Sequence, residues 1–237
     1  MIPPALWVLV PLKNLGRAKE RLSGTLAALA RRELVEAMAR DVIEALQAVP
    51  VAPARIVLVS DDDDVAALAA GYGVALFRPA AAATDPLNAA LTEAMRHACA
   101  QGAEHLLVMH ADLPLARAVE LRELIEAHLA TLEARGAPLA TLVTDRAGEG
   151  SNCLLSTPPD AVPYRFGSGS RARHHAAARA AGVRCLEYAG AGLGRDIDHP
   201  DDLAELVATC QSAENAGGAH TTRLLRRRDE QGNGHTF

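Results

Sequence analysis

No apolar run in the 237 residues approaches the roughly 18–20 that a membrane-spanning helix needs, which argues against an integral membrane protein. A basic excess is missing as well. The formal charge of −5 and isoelectric point near 6.0 speak against a nucleic-acid footprint, while small anionic substrates could still enter a local basic pocket. None of the four cysteines (Cys99, Cys153, Cys185 and Cys210) forms a C-x-x-C pair, so neither a zinc ribbon nor a thioredoxin-type redox pair is indicated. The opening MIPPALWVLVPLK lacks a basic leader, and its short apolar stretch reads as a buried first strand; a reducing cytoplasm is the expected setting. With 49% apolar and 22% charged residues the chain is neither disordered nor collagen-like, and its length suits one core.

Lysine is the scarcest basic residue. Alanine fills 49 positions and arginine supplies 22 of the 24 basic residues, so Lys13 and Lys19, six residues apart in PLKNLGRAKERL, stand out. A lysine is a compact charge on a flexible stem and an arginine a planar fork, so the two are not interchangeable on a phosphate. This segment reads either as a solvated turn or as a phosphate-handling loop.

Apolar runs bounded by turn residues, at Leu6–Pro11, Arg55–Ser60, Val74–Arg78, His105–His110, Leu139–Thr144 and Val183–Tyr188, predict strands. Helical periodicity fills Leu26–Val49, Asp63–Gly71, Leu87–Gln101, Val119–Arg135, Ser170–Gly182 and Asp201–Cys210. Such alternation predicts a single-domain α/β fold, a mostly parallel sheet with helices on both faces, over residues 1–212. Residues 213–237 are polar and Gly-rich with a short run at Arg226–Arg228. They read as a disordered tail, dispensable beyond about residue 212.

In such a sheet ligands gather at the carboxyl ends of the strands. After the first strand, Lys13, Arg17, Lys19 and Arg21 form a candidate triphosphate cradle that is not a Walker A loop. After the second come Ser60 and Asp61–Asp64, which read as a helix cap, with Asp61 also within reach of a ribose or base. After the fourth, Asp112 precedes Pro114 and suits a magnesium ligand; His110 reads as an ordinary strand-end histidine. Asp196-Ile197-Asp198 either points two carboxylates one way toward a cation or caps the helix at Pro200. Gly190, Gly192 and Gly194 approximate a dinucleotide fingerprint, but no helix follows them directly. Two further loops, Asp145–Asn152 and Phe166–Ser170, the latter just before a helix carrying His174, offer amides to a carboxylate or phosphate.

Together the PLK..xxAKERL opening, VSDD, Leu87-Asn88…Leu91, ADLP, DRxGxGSN, FGxGSxxxH and DIDxPDDL resemble the 2-phospho-L-lactate guanylyltransferase family, in order, over roughly residues 6–207. The resemblance implies a nucleotide-diphospho-sugar transferase-like fold. It also implies GTP as donor and a small phosphorylated acid as acceptor (2-phospho-L-lactate, phosphoenolpyruvate or 3-phospho-D-glycerate), toward the deazaflavin coenzyme F(420). It implies Mg²⁺ on Asp112, Asp196 and Asp198, and a catalytic set of Lys13, Lys19 and Asp112. Lys13, Arg17, Lys19, Arg21, Ser60, Asp61 and Asn88 would meet the nucleotide. Ser151, Asn152, Gly167, Ser170 and His174 would meet the acid, and a homodimer is compatible with the family. Pro86, His110 and Glu149 depart from the usual pattern. The alternatives are transfer to a sugar phosphate or molybdenum cofactor, or a non-catalytic nucleotide-binding regulator.

Overall fold

The computed structural model describes residues 2–3, 5–12, 15, 19–80, 84–212 and 218–230. Strands β1 (Leu6–Pro11), β2 (Ile56–Val59), β3 (Ala75–Phe77), β4 (His105–Met109), β5 (Leu139–Thr144), β6 (Ser151–Thr157) and β7 (Arg184–Tyr188) form one sheet, ordered β3-β2-β1-β4-β6-β5-β7. Every neighbouring pair is parallel except the two that involve β6. The expected mostly parallel α/β sheet is therefore present.

Side-chain alternation along each strand divides the interior into two cores. Leu6, Val8 and Val10 of β1 face one way, where α1 (Ala28–Gln47), α2 (Asp63–Tyr72), α4 (Ala118–Arg135) and α6 (Pro200–Ser212) supply Met38, Val65, Leu121 and Leu203. Trp7 and Leu9 face the other way, against α3 (Pro86–Ala100) and α5 (Ser170–Ala180), which contribute Leu91, Ala94, Ala98 and Ala178. Both faces of the sheet are covered, which is why the strands read as unbroken apolar runs. Pro86 sits in the first turn of α3, behind the N-cap Asp85, where its missing N–H costs nothing.

Two features differ from the sequence reading. The first is β6, which the strand list above passes over. Its pairing slips between Val143 and Thr144: Val143 faces Cys153 but Thr144 faces Ser151, leaving Asn152 as an extra, bulged residue. The bulge interrupts the two-residue alternation by which a strand is recognised. The second is α7 (Ala219–Glu230), which occupies part of the segment read as a disordered tail. The buried Asp41 of α1 accepts from the His220 and Thr221 amides at 2.8 and 3.0 Å, the Gly218 amide donates to the Pro114 carbonyl at 2.7 Å, and Leu225 enters the core. A Cβ at Gly218 would lie 2.0 Å from the Asp41 carboxyl carbon, so only glycine allows this approach. The helix signal was masked because α7 is polar on most of its surface and gains its cap from a residue 180 positions away.

Candidate active site

The site lies along the carboxyl edge of the sheet, where β1, β4, β5 and β7 end and the antiparallel β6 begins. Asp112 follows β4, and Asp196 and Asp198 lie in the extended link between β7 and α6. Lys19 enters beside the end of β1 with its backbone in the left-handed region (φ 56°, ψ 44°), the one non-glycine residue among those described with positive φ. That conformation costs on the order of 1 kcal/mol. It is held because the Lys19 ammonium bridges two carboxylates, donating to Asp112 Oδ2 and, at 2.5 Å, to Asp198 Oδ1. Arg21 adds a longer contact to Asp198 Oδ2 at 3.3 Å.

Burial alone would neutralise these groups, but their mutual attraction wins for two of them. Burial pushes the Asp112 carboxyl up, yet the Lys19 ammonium, helped by His110, brings it below the ordinary carboxylate range. Burial likewise opposes the charge of Lys19, and Asp112 with Asp198 raises it net. Among the described residues no cation offsets Asp196. Burial first, then repulsion from Asp112 and Asp198, pushes it up to about 6 despite a 3.2 Å bond from Asn152 Nδ2. Asp112 Oδ1 is buried with no hydrogen-bond partner among the described residues. The all-oxygen donor chemistry, with an unmatched buried lone pair and an under-compensated carboxylate, suits a hard divalent cation such as Mg²⁺. Asp112, Asp196 and Asp198 do not close around one point here, however, and the Lys19 ammonium stands between Asp112 and Asp198.

Next to the carboxylates opens a cavity of about 780 Å³. Arg21, Asp112, Asp196 and Asp198 line it on one side, and Ser151, Gly167 and Ser170 on the other. A second cavity of about 420 Å³ continues past Lys19 toward Leu12 and Leu87. Asp145 shapes the near rim: its carboxylate accepts from the Glu149 and Gly150 amides, each at 2.8 Å. Strict alternation from Cys153 would send Asn152 toward α5 and Ser151 toward the aspartates. The bulge reverses this. Asn152 Nδ2 donates to the Leu193 carbonyl at 3.0 Å and to Asp196, while Ser151 Oγ lies 3.0 Å from His174 Nδ1 of α5.

The structure thus gathers Lys19, Arg21, Asp112, Asp196, Asp198, Ser151, Asn152, Gly167 and Ser170 at one opening. Lys13 and Arg17 lie outside the described residues. Four other predicted site residues stand elsewhere. Ser60 Oγ is buried and accepts from the Asp62 amide at 3.2 Å, and Asp61 is exposed with its carbonyl accepting from Arg78. Asn88 is buried and clamps a loop: its Oδ1 accepts from Phe166 N at 2.9 Å, and its Nδ2 donates to Asp85 Oδ2 and the Phe166 carbonyl. His174 is fully buried behind Ser151. None of these four lines either cavity. Ser60 and Asn88 commit their polar groups to neighbours two and three residues away and to the Phe166 backbone, and His174 commits its ring to Ser151 and the Arg165 amide.

Sequence reasoning passed over Arg195, and the cap expected within Asp61–Asp64 falls on Asp62, whose Oδ1 accepts from the Asp64 amide at 2.9 Å. Arg195 joins the cavity wall beside Asp196, and Asp62 Oδ2 accepts from the Leu15 amide at 3.1 Å, anchoring the β1 loop. The near-fingerprint glycines also have a plain structural cause. A Cβ at Gly192 would lie 2.1 Å from the Leu115 carbonyl oxygen, and the Gly192 and Leu193 amides donate to the buried Glu120.

Comparison with known proteins places this arrangement. The family model described as guanylyl transferase CofC like matches residues 6–223. A protein of Sphaerobacter thermophilus named phosphoenolpyruvate guanylyltransferase is 41% identical over 84% of this chain and 90% of its own. One of the same name from Rubrobacter xylanophilus is 37% identical, covering 86% and 95%. Among solved structures, a Desulfovibrio desulfuricans G20 protein assigned to the nucleotide-diphospho-sugar transferases superposes with a TM-score of 0.71 at 16% identity, covering 96% of both chains. A Leptospira borgpetersenii cytidylyltransferase gives 0.60 at 12% identity, covering 97% and 95%. At such identities the structures speak to fold alone.

Proposed function

Because the chain belongs to the CofC-like guanylyl transferase family and is a nucleotidyltransferase, we propose that it joins the guanylyl group of GTP to the phosphate of a three-carbon acid, phosphoenolpyruvate first among them. The observation that carries this reading is the continuity of an acidic, cation-demanding edge at Asp112, Asp196 and Asp198 with a cavity rimmed by Ser151, Gly167 and Ser170. A phosphate oxygen of the acid attacks the α-phosphorus of GTP, a new phosphoanhydride forms, and pyrophosphate leaves with the electron pair. Asp112, Asp196 and Asp198 would hold Mg²⁺. When bound, the ion supplies charge neutralisation at the transferring phosphoryl group.

The residues present do the positioning. Lys19 and Arg21 hold Asp198 in place and offer positive charge to the triphosphate, Asn152 steadies Asp196, and the α5 N-terminus receives the anionic acid. Asn88 fixes Phe166 and so the approach of Gly167–Ser170. The names carried by the relatives favour phosphoenolpyruvate over 2-phospho-L-lactate or 3-phospho-D-glycerate, and the proposed place in making coenzyme F(420) rests on the motif resemblance alone. The test is pyrophosphate release from GTP and Mg²⁺ with each acid in parallel. Phosphoenolpyruvate should turn over fastest; no release with any of the three would end this reading. Comparable turnover of CTP with a sugar phosphate would shift it to the neighbouring chemistry.

A further inference from the structure

His174 was expected to touch the acid, yet it is fully buried and stands behind Ser151 of the cavity wall. Its two ring nitrogens have unlike neighbours. The Arg165 amide donates to Nε2 at 2.9 Å, so Nε2 must carry a lone pair. A neutral imidazole then bears its proton on Nδ1, which lies 3.0 Å from Ser151 Oγ. Burial, followed by repulsion from Arg173, pushes the ring down to about 4 against a smaller opposing effect of the Ser170 backbone, so it is neutral at pH 7. Phe166 stacks edge-on at 4.7 Å between centroids and blocks rotation of the ring.

The serine therefore receives a hydrogen bond from behind. Among the described residues its side chain has no second partner, and Ser151 lines the cavity. We propose that His174 is a positioning residue: its Nδ1–H fixes Ser151 Oγ as an acceptor on the inner side, turning the hydroxyl proton outward as a dedicated donor to an anionic oxygen of the phosphorylated acid. This rests on the guanylyl-transfer reading for the identity of the ligand, but not for the orientation of the hydroxyl. A fixed donor at this point favours carboxylate or phosphate oxygen, which only accept, and disfavours a group that can only donate, such as an ammonium.

The experiment uses the full chain with GTP, Mg²⁺ and phosphoenolpyruvate. His174→Gln places an acceptor near Nε2 but nothing that donates to Ser151. It should raise KM for phosphoenolpyruvate about tenfold, with kcat and the KM for GTP within about twofold. His174→Asn sets an amide N–H near the Nδ1 position and should restore the acid KM to within about threefold of the parent. In a Ser151→Ala background, His174→Gln should add less than about twofold, since the two act as one unit. Equal rises in both KM values, or an undiminished His174→Gln effect on Ser151→Ala, would overturn the proposal. A ¹⁵N-histidine spectrum decides orientation without turnover. A proton on Nδ1 of His174 is required, and a proton on Nε2 refutes the assignment even if every acid proves inert.

Discussion

Lys19 and Asp112 form a charge pair in the site, and each keeps the other ionised against its own desolvation. Asp112→Asn preserves size but removes the charge that a cation needs; kcat should fall at least about 100-fold. Lys19→Ala leaves Asp112 and Asp198 facing each other without the ammonium. Steady-state kinetics should show a KM for GTP raised more than that for the acid, and equal rises would detach Lys19 from the nucleotide. At this scale the strand-end rule made Asp112, Asp196 and Asp198 legible, because their place in the chain fixes their place on the sheet edge. Asn88 and His174 were legible only as polar residues near the right motifs. Whether an amide or imidazole faces a ligand or a backbone depends on Phe166 and Arg165, 78 and 9 positions away, and no spacing encodes that.

Among the elements, α7 carries the clearest consequence. It joins α1 through Asp41 and joins the turn behind Asp112 through the Gly218–Pro114 hydrogen bond. Asp41→Ala would leave two buried amide donors unmet, a loss of about 2 kcal/mol. In a chain of this size that lowers the melting temperature by about 4–8 °C. A chain ending at Ser212 should melt lower still and bind a hydrophobic dye, since Leu225 no longer covers the α1–α6 seam. A shortened chain that melts like the full one would show α7 to be passive. The six expected strands and the six long helices were readable because their apolar faces repeat at 2.0 or 3.6 residues. β6 and α7 were not, the one for its bulge and the other for a cap and core contact supplied from far along the chain.

For the molecule as a whole, two fully buried histidines set an acid limit. His128 sits between Thr141 Oγ1 at 2.8 Å and Thr157 Oγ1 at 2.9 Å, and burial pushes it, like His174, down to about 4. An unfolded chain takes up these protons near pH 6.5 and the folded one only near 4. Stability is therefore complete above pH 6.5 and declines toward pH 4, by about 1.4 kcal/mol per pH unit for each histidine at most. Asp196, pushed up to about 6, takes up its proton earlier in the folded chain and offsets part of this below pH 6. Melting curves from pH 7.5 to 4.5 should therefore shift downward by less than the two histidines alone would give, and an upward shift would mean that the rings do not stay neutral. The overall plan, one parallel sheet dressed on two faces with its chemistry at one margin, was visible from composition and alternation alone. The single reversed strand was the part that needed coordinates, and it has a consequence for how this chain tolerates change. Ser151 faces the imidazole and Asn152 the acidic wall, and not the reverse, because one surplus residue lies between two registers. Were that surplus ironed out, the hydroxyl would swing to the acidic wall and the amide to the imidazole, disabling both halves in a single step. Length in this stretch is accordingly held more tightly than the identity of any residue in it.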